Sequence, residues 1–250
     1  MFRLFRFAFK AWFIVQLLAV AFSAGMGVAY LMQVRAQYRS WGQLPGADEL
    51  GVAGDDLVPD ADVIETRTID IDAPPGKVWP WIAQLGYGRG GWYSFSALDR
   101  PWRPGGGSNG ESADSILAEF QDLAAGDLVP THPQGGFEAR IVEPHEALVL
   151  YLDDTMMREQ VEELVAESAG EEATEGLDLD MPPYRASWAF RLEDRPGGRT
   201  RLVERLRFAV EASEAQMKAR PMLQLGLFML MRSQMEGIKQ RAEGALAIDD

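Results

Sequence analysis

The stretch Ile69–Phe95, IDIDAPPGKVWPWIAQLGYGRGGWYSF, decides the fold of this chain of 250 residues. It begins with the alternation of a strand, breaks at residues 73–75, and continues as a short apolar helix that Gly86–Gly91 ends. Three of the seven tryptophans lie within it: Trp79, Trp81 and Trp92. Because tryptophan buries a large apolar surface, their crowding beside tight turns predicts one wall of a large apolar interior.

The sequence on either side of this stretch has the pattern of an antiparallel meander. Val63–Ile71 alternates between two faces, as a strand with one buried side does. Five further segments read as strands: Asp127–Thr131, Phe137–Glu143, Ala147–Leu152, Tyr184–Glu193 and Thr200–Glu211. Residues 153–180 interrupt the meander with eleven acidic residues against one basic residue, which predicts a solvated helix or a mobile loop. Strands followed by a helix indicate the α+β class.

A long helix is predicted to follow the last strand, from Ser213 or Glu214 to about Ala247. Its centre, Met222–Met231, is apolar nearly all round, whereas a helix that lies on one sheet needs only one apolar face. The second face must therefore meet a ligand, a partner subunit or the membrane, and a densely packed core helix is the alternative. Five methionines give the helix the deformable surface that suits variable apolar ligands: Met217, Met222, Met229, Met231 and Met235.

The amino-terminal region has the composition of a membrane anchor, because residues 11–34 contain no charged side chain. As a helix this segment would be about 36 Å long, enough to cross a hydrocarbon core of about 30 Å. A cleaved signal peptide with a site at residues 27–29 is the alternative. Three basic residues precede the span and two follow it. This bias favours a single-pass protein with its N-terminus inside and its domain on the extracytoplasmic face.

The predicted organisation has an anchor over residues 1–36, a linker over 37–62, and a globular domain over 63–248 that carries the acidic insert 153–180. The linker is predicted because residues 40–61 are rich in Gly, Asp and Pro and lack a sustained apolar period. The net charge is −14, and since residues 1–40 carry five bases and no acid, residues 41–250 carry −19. A region with so large a negative charge repels nucleic acid, and we therefore expect no nucleic-acid partner.

Motifs for catalysis and cofactors are largely missing from the sequence. It has no cysteine and only two histidines, His132 and His145, both in turn-like contexts, which disfavours a metal site or a serine–histidine triad. The glycines of residues 86–91 resemble a dinucleotide fingerprint but follow a helix rather than a strand. We therefore predict no cofactor, no metal ion and no particular catalytic residue. Glu204 is the polar exception on the apolar face of its strand, which suggests a wet cavity.

Five stretches together carry a resemblance to a known superfamily: residues 73–99 (APPGKVWPWIAQLGYGRGGWYSFSALD), Ser115–Pro130, Ser187–Leu192, Thr200–Arg207 and Met235–Glu243. In this order they make the region from Val63 to Leu246 similar to the START-related helix-grip proteins, often called SRPBCC. Within that superfamily the sequence most resembles the bacterial polyketide cyclase/dehydrase and lipid-transport branch. The resemblance implies a curved antiparallel sheet of six to seven strands wrapped around a long C-terminal helix. It also implies a bound lipid, sterol, polyketide or other apolar ligand, and it transfers no catalytic motif.

Three functions follow as hypotheses, and the oligomeric state is left open. The first is binding of a hydrophobic small molecule or lipid between sheet and helix; the second is a cyclase-like or dehydratase-like enzyme that uses tyrosine or carboxyl groups in the same cavity. The third is a protein-interaction module that uses the apolar helix. The predicted pocket lining is Trp79, Trp81, Trp92, Tyr93, Trp188, Leu225, Phe228 and Met229. The predicted polar pocket groups are Tyr87, Arg89, Glu138 and Glu204.

Overall fold

The computed structural model describes residues 32–47, 50–94, 112–133, 135–169, 183–210 and 214–244. The chain forms two compact units, Met1–Trp41 and Gly42–Asp250. In the first unit the described residues 32–40 are helical. Apart from its last three residues, the predicted anchor at 11–34 lies outside the described residues. Within the part of the chain that is described, no helix combines the length and apolarity that crossing a membrane requires.

The second unit is built on one antiparallel sheet of six strands, which confirms the predicted α+β class and the curved sheet. The strands are β1 (Val63–Ile71), β2 (Leu128–His132), β3 (Gly135–Glu143), β4 (Ala147–Asp153), β5 (Tyr184–Arg195) and β6 (Arg199–Val210). Their order across the sheet is β1-β6-β5-β4-β3-β2, so the first and last strands pair although more than a hundred residues separate them. This pairing brings the two ends of the meander together.

Three α-helices occur among the described residues of this unit: α1 (Pro75–Ala83), α2 (Asp154–Ala169) and α3 (Glu214–Ala242). Helix α1 begins at a proline, whose missing N–H would have no helical partner there, and it contains Pro80 in its interior. Helix α2 forms the first part of the acidic insert, and residues 170–182 of that insert lie outside the described residues. The C-terminal helix α3 packs against α1 and β1.

The close approach of α3 to the loop after α1 depends on one glycine. A Cβ atom at Gly237 would collide with the carbonyl oxygen of Tyr93. One turn further on, the guanidinium of Arg241 lies 4.7 Å from the centroid of the Tyr93 ring, and its Nε donates to the carbonyl of Ala113 at 2.8 Å. The end of α3 therefore holds both sides of the loop that connects α1 to β2.

The two faces of the sheet have different covers. One face, here called the inner face, carries α1 and α3. The other, the outer face, is covered by the segment after Gly42, where Val52 packs with Val149, and Val58 packs with Tyr151. From Gly42 onward, then, the described part of the predicted linker 37–62 is a packed layer of the domain rather than a spacer.

Arg205 on β6 fixes this layer to the outer face. Its side chain is 2% exposed, and its guanidinium pairs with Asp55 at 2.6 Å, donates to the carbonyl of Leu50 at 2.8 Å, and also binds the carbonyl of Ala47. Arg207, two residues further along the strand, donates to the carbonyl of Val58 at 3.0 Å. Sequence pattern alone missed this layer, because polar anchoring by two arginines leaves no apolar period in residues 42–62.

Candidate functional site

The inner face of the sheet brings polar side chains into an apolar interior. In the register of β1 and β6, Arg67 lies opposite Glu204, and Glu65 lies opposite Leu206. On the other side of β6, Phe190 of β5 lies opposite Glu204. Since side chains of the same parity share a face, all of these residues point toward α3. The remaining surface of this interior is apolar, with leucines from β4 and β6 among the fully buried side chains.

Arg67 and Glu65 form an ion pair inside this interior. The side chains of Arg67 and Glu65 are only 1% and 5% exposed. The Arg67 guanidinium also lies over the Phe228 ring of α3, at 4.8 Å from the ring centroid. Removing two charges from water is unfavourable unless they neutralise each other, so the pairing explains how both are tolerated here. The positive charge of Arg67 is thereby matched by Glu65.

Glu204 is completely buried beside this ion pair. Its Oε1 accepts a hydrogen bond of 2.8 Å from the indole Nε1 of Trp188, whereas its Oε2 has no hydrogen-bond partner among the described residues. Burial disfavours the charged form and raises the pKa of Glu204 to about 8. The hydrogen bond from Trp188 lowers this pKa, but by less than burial raises it. Near neutral pH most of the molecules therefore carry Glu204 as a carboxylic acid, which can donate a hydrogen bond as well as accept one.

Gln234 is a further buried side chain whose polar atoms have no partner among the described residues. It is completely buried on α3, and within the described part of the chain neither its Oε1 nor its Nε2 makes a hydrogen bond. At about 100° per residue, it falls between the side of α3 that carries Phe228 and the side that carries Gly237. The first of these sides contacts Arg67 and the second contacts Tyr93. The Gln234 amide is thus directed into the interior between the sheet and the loop after α1.

An aromatic cluster forms the wall next to Glu204. The ring of Trp188 stacks on Trp92 with 4.9 Å between centroids and 3° between planes. Phe137 meets Trp188 edge-on at 6.0 Å, and Phe190 lies at 5.5 Å. Trp188 is buried and Trp92 is half-buried, so the stacked pair leads from the interior toward the protein surface. Stacked rings of this kind offer a flat apolar surface to a ligand.

The other predicted lining residues occupy two further elements. Trp79 and Trp81 are buried on α1, where Trp81 meets Tyr93 edge-on at 6.0 Å. On α3, Phe228 is buried, while Leu225 and Met229 are half-buried. The structure therefore stacks Trp92 on Trp188, joins Trp188 to Glu204 by a hydrogen bond, and seats Phe228 against Arg67. The two α1 tryptophans instead meet His145 and Tyr93.

Tyr93 is held by a buried glutamine. The Nε2 of Gln84 donates to the Tyr93 hydroxyl at 2.9 Å, and its Oε1 accepts from the backbone N–H of Leu117 at 2.9 Å. Burial raises the pKa of Tyr93 above its ordinary value. The Tyr93 side chain is thus a fixed, neutral phenol, and Gln84 joins it to the loop on which Leu117 lies.

Three predicted polar pocket groups have other surroundings. Arg89 donates to the carbonyls of Leu85 and Ala83 at 2.9 and 2.8 Å, which caps the end of α1 with a positive charge. Glu138 lies on the outer face, where it pairs with Arg140 at 3.0 Å. Tyr87 is half-buried in the glycine-rich bend. None of these contacts directs a charged group toward Glu204.

Three polar residues of the interior, Glu65, Arg67 and Gln234, were not predicted from the sequence. A signal existed for each of them, because Glu65 and Arg67 share the strand face of Val63, Ile69 and Ile71, and Gln234 lies in the helical row of Met231 and Ile238. A polar residue on an otherwise apolar face is the same feature that drew attention to Glu204.

No group of three or more metal-ligating side chains occurs among the residues that the structure describes. A separate cleft of about 320 Å³ lies at the sheet edge, between α2 and the β2–β3 hairpin. Gln160 lines it and binds both backbone groups of Gly136 at 3.0 Å, which anchors α2 to the hairpin. This cleft is distinct from the interior around Glu204.

Comparisons with known proteins give only distant likenesses. No family model matches the chain, and neither does any curated protein. Among solved structures, the Zhui aromatase/cyclase of a Streptomyces species is similar, with 11% identity, a TM-score of 0.33, and coverage of 74% of this chain and 96% of that chain. CalU16 of Micromonospora echinospora has 14% identity and a TM-score of 0.32, over 75% of this chain and 89% of that chain. A protein of Arthrobacter aurescens has 18% identity and a TM-score of 0.34, over 74% and 91%.

Proposed function

We propose that the domain binds a hydrophobic small molecule or lipid in the interior between the inner face of the sheet and α3. The observation that carries the proposal is the burial of Glu204 and Gln234 in an apolar setting, with polar atoms that have no partner among the described residues. A buried polar atom without a partner destabilises a fold by about 1–3 kcal/mol. Two such side chains at one interior are therefore better explained by a bound molecule that completes their hydrogen bonds than by packing alone.

The surrounding apolar surface supports the same function. Burial of roughly 300 Å² of apolar ligand surface contributes about 7 kcal/mol at 25 cal/mol/Å², before the cost of association. An affinity in the micromolar range would thus need few polar contacts. The resemblance of the sequence to helix-grip proteins, together with the antiparallel sheet and the long terminal helix, also supports membership in that superfamily.

Binding can be followed by the fluorescence of the stacked tryptophans. The full chain, reconstituted in lipid nanodiscs, is titrated with fractions of a lipid extract from cells that express it, and empty nanodiscs serve as the blank. We expect at least one fraction to change the emission with micromolar affinity, and Trp188→Phe to reduce the change. The absence of any micromolar binder in a broad extract would contradict the proposal.

A second candidate is catalysis in the same interior by a cyclase-like or dehydratase-like enzyme. Glu204 favours it, because a carboxyl with a pKa of about 8 is suited to general acid catalysis near neutral pH. In a dehydration, Glu204 would give its proton to the leaving hydroxyl, which departs as water, and its carboxylate would take a proton from the neighbouring carbon. Glu204→Gln should then abolish turnover while ligand binding persists; unchanged turnover would exclude this role.

We also propose that residues 11–34 anchor the protein in a membrane and that the domain lies on the extracytoplasmic face. The uncharged run and the basic residues before it support this proposal. Membranes from cells that express the full chain are washed with alkaline carbonate. The anchored chain stays in the pellet, and its domain is digested by protease added from the extracytoplasmic side. Release of the whole chain by carbonate would contradict the anchor.

A further inference from the structure

We infer that the ligand carries an uncharged polar end that both donates and accepts hydrogen bonds, of the kind found in an aliphatic alcohol, and that Glu204 and Gln234 bind this end. The inference rests on the proposed function and specifies the class of ligand. It depends on which charges and hydrogen-bonding atoms the interior holds.

The charges of the interior disfavour an ionised ligand. Two arginines are the only buried cations among the described residues, and Arg205 is directed to the outer face, where it binds Asp55. Arg67 faces the interior but is paired with Glu65. Among the described residues, a carboxylate or phosphate head would therefore meet no cation in this interior except Arg67, whose charge Glu65 already matches. Burial of an unpaired charge is among the least favourable events in a protein interior.

The hydrogen-bonding atoms of the interior match a hydroxyl group. Gln234 offers one acceptor, Oε1, and one donor, Nε2, both unused within the described part of the chain. Glu204 has its Oε1 occupied by Trp188, and its Oε2 is unused by any residue that the structure describes. A hydroxyl can donate to an acceptor and accept from a donor at the same time, so it could satisfy one atom from each side chain. A ketone or ester could accept from the Glu204 acid proton and from Gln234 Nε2, but it has no donor for Oε1 of Gln234.

Helix α3 and the sheet would then bind the same hydroxyl group of the ligand from opposite sides. Glu204 belongs to β6, and Gln234 belongs to α3 on the side turned from Phe228 toward the Tyr93 loop. The apolar part of the ligand would extend along the stacked rings of Trp188 and Trp92. This arrangement places the polar end at the buried side of the interior and the apolar tail toward the half-buried Trp92.

Three probes with the same tail and different heads test the inference: 1-decanol, decanoate and decylammonium. Each is titrated calorimetrically at pH 6.5 into the full chain in nanodiscs, with empty nanodiscs as the blank. We expect decanol to bind at least ten-fold more tightly than either charged probe. The variants Glu204→Leu and Gln234→Leu should each reduce this preference several-fold, and thermal unfolding verifies that they are folded. Glu138→Gln, which changes a carboxyl on the outer face, should leave the preference unchanged.

The outcomes distinguish failure of this inference from failure of the proposed binding function. If all three probes bind equally well, or a charged probe binds best, the interior binds apolar molecules but the assignment of an uncharged head is wrong. A preference for decanol that persists in both leucine variants would equally overturn the roles of Glu204 and Gln234. If none of the probes binds, the result counts against the binding function itself.

Discussion

Glu204 occupies a position where the pattern of β6 calls for an apolar side chain, between Leu202 and Leu206 on the inner face. The alternation of the strand is therefore enough to mark this residue as unusual. Local pattern does not show which side chains surround Glu204, because Arg67 is brought opposite to it only by the pairing of β1 with β6. Register between strands so far apart in the chain depends on the whole sheet.

The raised pKa of Glu204 predicts how stability depends on pH. Its value is raised from 4.5 to about 8, so the folded chain binds this proton more tightly than the unfolded chain does. The stabilisation from this group is complete below about pH 4.5 and is lost as the pH rises through 8. At about 1.4 kcal/mol per pH unit, the loss between pH 5 and 8 is on the order of 3–4 kcal/mol.

Glu204→Gln removes this contribution, because an amide does not titrate in this range. The free energy of unfolding, measured with urea at pH 5, 6.5 and 8, should fall with pH more steeply in the wild type than in the variant. Glu138→Gln controls for the loss of a carboxyl elsewhere in the sheet and should follow the wild type. Parallel curves for the wild type and Glu204→Gln would show that the carboxyl does not titrate in the interior.

At the scale of elements, pattern alone predicted all six strands to within a few residues at their ends. It succeeded because each strand alternates apolar and polar residues or is bounded by glycine and proline turns. It failed for residues 42–47 and 50–62, which cover the outer face with little regular structure besides a 3-10 helix at Asp55–Leu57. Arg205 and Arg207 attach them, and hydrogen bonds from arginines to backbone carbonyls leave no trace in the composition of the segment.

Replacing Arg205 tests whether this layer is an integral part of the domain. Arg205→Met removes the buried guanidinium that binds Asp55 and the carbonyl of Leu50, and breaking a buried pair of this kind destabilises by about 3–5 kcal/mol. Hydrogen exchange of residues 42–62 should become much faster. The control is Arg201→Met, which removes a more exposed pair with Asp70 and should have an effect of about 0–1 kcal/mol. Equal effects of the two variants would mean that the layer is not held by Arg205.

Two glycines of α3 give a matched test of its packing. At Gly237 a Cβ would collide with the carbonyl of Tyr93, whereas at Gly226 a Cβ would meet nothing within 4 Å. Gly237→Ala should destabilise the fold by roughly 1–3 kcal/mol, as overpacking does. Gly226→Ala should stabilise it by about 0.5–1 kcal/mol, because alanine favours the helix. Thermal and urea unfolding of both variants measure the difference. A neutral effect at Gly237 would contradict the close approach of α3 to the loop.

For the molecule as a whole, the sheet, α1 and α3 enclose a largely apolar interior that includes the polar side chains Glu65, Arg67, Glu204 and Gln234. The enclosure could be predicted from the sequence, since the tryptophan-rich stretch and the methionine-rich helix are both recognisable there. The polar content of the interior could not, because it arises only where β1, β6 and α3 lie side by side. The net charge of −14 concerns the surface and says nothing about this interior, in which Glu65 and Arg67 balance each other.

Native mass spectrometry of the full chain, released from detergent micelles in the gas phase, tests the central claim most directly. The wild type is compared with Gln234→Trp, which fills the interior, and with Gln160→Trp, which alters the separate cleft beside α2. Lipids and detergent bound at the surface appear equally in all three spectra. The account predicts an additional apolar mass on the wild type and on Gln160→Trp that is absent from a folded Gln234→Trp. A wild type without any retained mass, or one retained equally by all three proteins, would contradict ligand binding in this interior.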